Sequence, residues 1–298
     1  MIDLQYYQGQ DLYVDGVEED LLQRLLAGVS EEEIIASDDR FGIFYHLSPE
    51  RRFLLDWYPF KKDAKLLEVG AGPGALTGLF CERVQEVTAV ELSKLRATIN
   101  HKRNEQQQNL KIVVGNFQDI PLQQGKFDYI TLIGVLEYTR SFIHSKADAY
   151  QELFAIINNY LAAEGELLIA IENKFGLKYW AGEREDHLGE YFTGIEGYAK
   201  DTKVETFGLH ELKELLKSNG FGKQKFYYPF PDYKFPVEVY SEDQLPTLDS
   251  MLGSSPLLGG ERLLLFKEPL AYLQLIKNRQ FEFFANSFLC SAARSNKE

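Results

Sequence analysis

Three glycines, Gly70, Gly72 and Gly74, stand in the run LLEVGAGPGALTG at residues 66–78. A main chain without Cβ atoms lets a ligand approach closely. A helix opening just after such a turn offers unpaired N–H groups and the positive end of its dipole to polar or anionic groups. Glu91 lies 21 residues beyond Gly70, at the end of the next apolar run. From that place a carboxylate accepts hydrogen bonds from a ribose diol. The combination points to a bound nucleoside cofactor. Gly70, Gly72 and Ala75 also satisfy a dinucleotide fingerprint with alanine in its last slot, so an NAD-dependent oxidoreductase stays open. Glu68 argues against it, because an acid two residues before the first glycine would repel a pyrophosphate. It suits a cofactor with a cationic amino or sulfonium group. The GxxxxGK[ST] pattern is absent, which excludes a P-loop.

A second set of reactive side chains follows Glu172-Asn173-Lys174. It contains Tyr179, Trp180, Asp186, His187, Tyr191 and Phe192. Aromatic walls with a few polar groups suit a sugar or another polar ring. An imidazole titrates near neutral pH, so His187 is a candidate base, with Asp186 and Glu172 as further candidate catalytic groups. The two cysteines, Cys81 and Cys290, show no metal-type spacing, and no metal is expected.

The elements that must position these groups alternate. Apolar runs at 66–69, 87–92, 110–114, 127–135 and 167–171 read as strands, with helices at about 75–84, 93–107 and 147–162 between them. Such βαβ alternation predicts a mostly parallel sheet with helices on both faces. A further helix is expected at 206–219, and later strands at 225–228 and 281–289, making seven in all. Ahead of this body, Leu21, Leu22, Leu25 and Leu26 recur at helical spacing and stop at Gly28. Ser30 and Glu33 read as a capping box, and Ser48-Pro49 as the start of a third helix carrying Phe53, Leu54 and Trp57. The expected organisation is an acidic helical arm, 1–44, and one domain, 45–298. Within it, an insert at 172–205 acts as a lid over the acceptor, and 231–280 is an excursion between the last strands.

The chain has 298 residues and a net charge of 32 − 45 = −13. Residues 1–40 hold eleven acids and two bases, and 183–205 hold seven acids and three bases, so the remainder is neutral. An acidic surface of this kind disfavours nucleic acid as a partner. No apolar run approaches the roughly 18–20 residues of a membrane span, and the first residues lack a secretory pattern. With only two cysteines, a reducing cytoplasmic setting is expected. The aromatic content, 21 Phe, 17 Tyr and 2 Trp, also leaves room for a subunit interface in a homo-oligomer.

The loop E-V-G-A-G-P-G (68–74), Glu91, and Gly115-Asn116-Phe117 resemble the class I S-adenosylmethionine-dependent methyltransferases. The resemblance implies a Rossmann-like fold and S-adenosyl-L-methionine as cofactor. It implies cofactor contacts from Glu68, Gly70, Ala71, Gly72, Gly74, Glu91, Leu92, Asn116, Phe117 and Gly134, with Asn116 bonding adenine and Phe117 packing on it. The segments YHLSPERR (45–52), IGVLEYT (133–139), 171–198, YYPFPDYKFP (227–236) and ANSFL (285–289) further resemble a bacterial group linked with cell-surface polysaccharide genes. Base-methylating relatives carry an N/D-P-P-Y/F tetrapeptide after the fourth strand. Gly134-Val135-Leu136-Glu137 stands there instead, which disfavours a nucleic-acid base as acceptor. A small or carbohydrate-type acceptor, methylated at oxygen or nitrogen, is expected. The alternative from another class is a non-catalytic cofactor-binding subunit of a polysaccharide-synthesis complex.

Overall fold

The computed structural model describes residues 1–11, 16–145, 147–250, 252–255 and 262–295. The chain forms two compact units, 1–132 with 153–166, and 133–152 with 167–298. Among the described residues, nine strands follow the order β1-β4-β3-β2-β5-β6-β9-β7-β8. The seven expected strands are therefore joined by two more, one at each edge.

In the first unit, β2 (Lys65–Val69) pairs in parallel with β3 (Glu86–Glu91) and with β5 (Phe127–Ile133). Strand β4 (Leu110–Gly115) lies in parallel beside β3. Each of these strands is almost wholly buried, as expected of parallel strands covered by helices on both faces. The edge strand β1 (Ile2–Tyr6) pairs in parallel with β4. Five alternating residues at the edge of a sheet are a weak signal inside an acidic stretch, which is why residues 2–6 read as part of a helical arm.

The rest of the arm is helical. Helix α1 (Glu18–Leu26) closes with Val29 N–H on the Arg24 carbonyl and Gly28 N–H on the Leu25 carbonyl. Gly28 takes φ +82, which only glycine adopts without strain. Helix α2 (Glu31–Ser37) opens with the expected Ser30–Glu33 capping box. Helix α3 (Phe41–Leu47) precedes a 3-10 turn at Pro49–Leu54, where a full helix carrying Trp57 was expected. Val17, Leu21, Leu25, Ile34, Ile43 and Leu47 form one core cluster with Ile99. Ile99 belongs to α5 (Lys94–Arg103), so the arm is packed onto the first unit. At this seam Arg96 Nε donates to Glu18 Oε1 at 2.8 Å, with both side chains buried. Helix α4 (Thr77–Arg83) follows the glycine run.

In the second unit, β7 (Lys223–Phe230) pairs antiparallel with β8 (Glu238–Ser241) and with β9 (Ser287–Ala293). The excursion at 231–280 therefore contains a strand and also a helix, Glu268–Lys277. The strand expected over 281–289 begins only at Ser287, because Phe281–Phe284 is a helical turn. Short apolar runs do not distinguish a strand from a buried helical turn by periodicity alone. Asn286 sets the change, donating to the Pro231 carbonyl at 2.9 Å and to Ser255 Oγ at 2.8 Å. Strand β6 (Leu161–Glu172) extends well beyond the predicted 167–171 and ends at Glu172.

Removing one partner of a buried ion pair leaves a buried charge without its counter-ion. Glu18→Ala is therefore expected to cost about 3 kcal/mol in chemical denaturation. A loss below about 1 kcal/mol would show that the pair does not hold the arm in place.

Candidate active site

The glycine turn is tied to its own sheet. Gly70 and Ala71 donate N–H groups to the Val90 carbonyl at 2.9 and 3.1 Å. The three glycines take φ values of +71, +54 and +85, but they serve different ends. A Cβ on Gly74 would lie 2.6 Å from Asn100 Oδ1, so this glycine is required by packing. A Cβ on Gly72 would meet nothing within 4 Å. Gly72 therefore borders open space beside a backbone that a ligand can approach. Glu91 fastens the turn from below. Its Oε2 accepts from Gly72 N–H and its Oε1 from Ser93 N–H, both at 2.8 Å.

Glu68 is buried, and its Oε2 accepts from the Thr77 hydroxyl at 2.6 Å. Asn100 Nδ2 donates to the same hydroxyl at 2.9 Å. Burial pushes the Glu68 carboxyl up to about 8, opposed by Thr77 and reinforced by Glu91. Burial also raises Glu91, against its backbone donors and Arg96. Two buried carboxyls side by side suit a cationic ligand.

Arg103 supports the turn from the arm side. It donates to the carbonyls of Pro73 at 2.8 Å and His46 at 2.9 Å, and Glu31 grips it with both oxygens. The register of β3 on β4 sets Glu91 opposite Val114, so Asn116 and Phe117 stand just past the carboxyl end of the adjacent strand. Asn116 Oδ1 accepts from Gln118 N–H at 3.1 Å, and Phe117 is buried edge-on to Tyr160. Ala71 is buried and Leu92 half-buried.

Gly134 lies in the second unit, in left-handed backbone at φ +68. A Cβ there would sit 2.8 Å from the Tyr233 hydroxyl, so Tyr233 accounts for this glycine.

The same unit holds the second group of reactive side chains. Glu172, last residue of β6, is fully buried. Its Oε1 accepts from Lys234 Nζ and, at 3.3 Å, from the Tyr233 hydroxyl. Asp186 does not pair with His187, its neighbour in sequence. It receives Lys234 Nζ at 2.8 Å, Lys178 Nζ at 2.9 Å and the Tyr179 hydroxyl. Lys178 also reaches Asp232 at 2.9 Å. His187 meets Glu185 instead, with Nδ1 3.0 Å from Oε1. Its Nε2 lies 3.7 Å from Glu137 Oε1 and 4.0 Å from Glu172 Oε2.

Burial disfavours charge on His187, but the flanking carboxylates of Glu137, Glu185 and Glu172 overcome it and raise the ring to about 11. Burial likewise opposes charge on Asp186, and Lys178 and Lys234 hold it well below the usual carboxylate range. Glu137, Glu185, Lys178, Lys234 and Tyr233 were not among the predicted site residues. Glu137 and the Tyr233-Lys234 pair lie inside IGVLEYT and YYPFPDYKFP, segments already singled out for the resemblance.

A family model described as a methyltransferase domain matches residues 67–169. An uncharacterized methyltransferase of Staphylococcus carnosus is 30% identical over 173 residues, covering 53% of this chain and 75% of that protein. The chain belongs to the S-adenosylmethionine-dependent methyltransferases.

Among solved structures, Haemonchus contortus phosphoethanolamine N-methyltransferase 2 in complex with S-adenosyl-L-methionine shares the fold at TM-score 0.51 and 18% identity. The alignment covers 95% of this methyltransferase and 62% of that chain. Phosphoethanolamine N-methyltransferase 1 of the same organism, in complex with phosphoethanolamine and S-adenosylhomocysteine, aligns at TM-score 0.49 and 11% identity. There the match covers 96% of this chain, which spans about half (52%) of that relative's length.

The residues of the methyltransferase's glycine turn fit this cofactor. Open space at Gly72 admits it, and the buried Glu68–Glu91 pair suits its positive charge and its ribose hydroxyls. The dinucleotide alternative gives way to the methyltransferase match. When bound, the cofactor provides a methyl group on a cationic sulfur. Glu91 and the open face of the turn at Gly72 would hold it.

Two outcomes follow. Gly72→Asp is expected to fold at a cost of about 1 kcal/mol, since its Cβ enters open space but its φ of +54 strains a residue with a side chain, yet to bind S-adenosylhomocysteine at least about ten-fold more weakly, because its carboxylate fills the cradle beside Glu91. Gly74→Ala should instead lose about 1–3 kcal/mol of stability by overpacking against Asn100. Thermal unfolding and calorimetry separate the two. Glu68 gives a pH dependence. Its native pKa of about 8 lies above the ordinary 4.5, so the native chain retains a proton that the unfolded chain loses. Its contribution to stability is therefore present at low pH and falls as pH rises from about 4.5 through about 8. A cationic cofactor favours the ionised carboxylate, so its binding should release a proton at pH 7 and tighten up to about pH 8. Calorimetry in buffers of different ionisation enthalpy reads this proton, and Glu68→Gln should remove it.

Proposed function

We propose that the enzyme transfers a methyl group to a hydroxyl of a small or carbohydrate-type acceptor in the cytoplasm, as part of cell-surface polysaccharide synthesis. The observation that carries this reading is the crowding of ionisable side chains around the end of β6. Glu137, Glu172, Lys178, Glu185 and His187 have side chains at most 7% exposed, and Asp186 and Lys234 adjoin them. Residues 172–205 supply most of them. Groups that alternate in sign and hydrogen-bond one another suit the many hydroxyls of a sugar better than an alkyl chain. The aromatic rings of Tyr138 and Tyr179 adjoin the same groups. The five segments resembling the polysaccharide-linked bacterial group support the same acceptor class.

Methyl transfer from sulfonium to oxygen is an in-line displacement, so most of the acceleration comes from orientation. The hydroxyl must also lose its proton. In this reading Lys178, Lys234, Tyr179 and Asp186 orient the acceptor. Glu137, Glu172 and His187 receive the reacting oxygen and manage its proton. The carboxylates of Glu137, Glu185 and Glu172 raise the basicity of His187, so its ring favours a positive charge beside them, either a proton or a bound cation.

The reading is tested with methyl-labelled S-adenosylmethionine offered to monosaccharides, nucleotide sugars and glycans, alongside primary amines. Labelled methyl ethers support it, and transfer to amines alone would sink it. Asp186→Asn and Glu172→Gln should each lower kcat/KM for the acceptor by about 10²-fold or more. The dissociation constant for S-adenosylhomocysteine should stay unchanged in both.

A further inference from the structure

We propose that Glu137, Glu172 and His187 form a binding site for a divalent cation of the Mn2+ and Mg2+ class. One ligand-type atom from each of the three lies within 4.8 Å of the others. His187 Nε2 is 3.7 Å from Glu137 Oε1 and 4.0 Å from Glu172 Oε2. These spacings are too long for hydrogen bonds. They approach the roughly 3.0–3.5 Å that separates neighbouring ligands around one ion at octahedral or tetrahedral geometry. A closure of about half an ångström to one ångström brings the three donors to an ion between them.

An independent observation points to a ligand at the same place. Glu137 Oε2 and Glu172 Oε2 are buried and have no hydrogen-bond partner, although their residues are only 1% and 0% exposed. Leaving a buried carboxylate oxygen unpaired is costly, and such oxygens pair with cations or coordinate metals. The nearby lysines are engaged elsewhere. Lys234 sits on the other oxygen of Glu172 and on Asp186, and Lys178 on Asp186 and Asp232. Glu137, Glu172, Glu185, Asp186 and Asp232 carry five formal negative charges against two from Lys178 and Lys234, a sum of −5 + 2 = −3 with a neutral imidazole. A divalent cation brings this to −1.

The surroundings of His187 match those of a metal-bound imidazole. Its Nδ1 is held by Glu185, which directs Nε2 toward the carboxylates of Glu137 and Glu172. Glu185 is itself fixed by the Tyr198 hydroxyl at 3.0 Å and by the N–H groups of His187 and Leu188 at 2.8 and 2.6 Å. A carboxylate that orients a ligating histidine in this way sets its tautomer and raises its basicity. One nitrogen, two oxygens and no thiol favour Mn2+ or Mg2+ over softer ions. Three protein ligands leave open positions on an octahedral ion. That these receive hydroxyl oxygens of the acceptor rests on the proposed function, whereas the cation site itself does not.

The test uses the full chain freed of metal by chelation and titrated with Mn2+ under electron paramagnetic resonance. One saturable Mn2+ per chain is expected, displaced by Mg2+ and showing a nitrogen coupling from one imidazole. His187→Gln should abolish the nitrogen coupling. Glu137→Gln and Glu172→Gln should each weaken binding at least ten-fold. Glu185→Gln should weaken it about ten- to a hundred-fold with the coupling retained. Unchanged affinity for S-adenosylhomocysteine certifies the fold of each variant. Should a variant not fold, the nitrogen coupling of the wild-type chain decides. Absence of saturable Mn2+ binding or of that coupling overturns the proposal, as does a coupling that survives in His187→Gln. Failure to methylate any hydroxyl acceptor, with Mn2+ still bound at His187, would overturn the acceptor reading and leave the cation site standing.

Discussion

Burying a carboxylate at the carboxyl end of a strand is the constraint around which both units of this chain are organised. An ionised acid out of water is unfavourable by several kcal/mol unless donors, cations or a proton compensate. Glu68 and Glu91 meet this in the first unit and Glu172 in the second, where Glu137 and Glu185 are buried around the same histidine. Each unit solves it differently. Around the glycine turn the compensation comes mostly from neutral donors, the backbone N–H groups of Gly72 and Ser93 and the hydroxyl of Thr77, with Arg96 acting on Glu91 and a proton retained on Glu68 up to about pH 8. Those donors leave the acids short of full compensation, which is the electrostatic condition for attracting a cationic cofactor. Around the end of β6 the compensation comes from whole charges, Lys178, Lys234 and His187, and the sum still favours the acids.

The acidic arm takes a place in this arrangement that its charge alone does not suggest. Glu18 neutralises Arg96 on α5, and Glu31 grips Arg103, whose guanidinium also holds the Pro73 carbonyl within the glycine turn. The arm thus stiffens the cofactor turn from outside the sheet, through an arginine that presents its donors in a fixed fork. An excess of negative charge ahead of the body becomes a set of counter-ions for two buried or half-buried arginines.

The second unit depends on side chains whose separations in sequence are large. Glu137 follows β5, Glu172 ends β6, His187 and Asp186 lie in the 172–205 segment, and Lys234 follows β7. Periodicity and capping rules describe neighbours along the chain and carry no information on these meetings. The adjacent pair Asp186-His187 illustrates the point. Adjacent in sequence, the two do not meet: the turn Glu185 makes by accepting the N–H groups of His187 and Leu188 goes with different partners for the two side chains.

The order of strands and helices from β2 to β6, the capping box at Ser30, the stop at Gly28 and the glycine turn with Glu68 and Glu91 were all legible in the sequence, because each depends on residues within one turn, one strand or one βα unit. The edge strands β1 and β8, the helical turn at Phe281–Phe284 and the late start of β9 were not, because short runs take their conformation from the neighbours they pair with. The sequence by itself therefore determined the βα unit that carries the glycine turn, and the placing of Glu68 and Glu91 at the ends of its strands. Which glycine faces ligand and which faces Asn100, which acid orients His187, and which carboxylate oxygens are left without partners were decided only by the tertiary structure, since each is a property of space between segments distant along the chain.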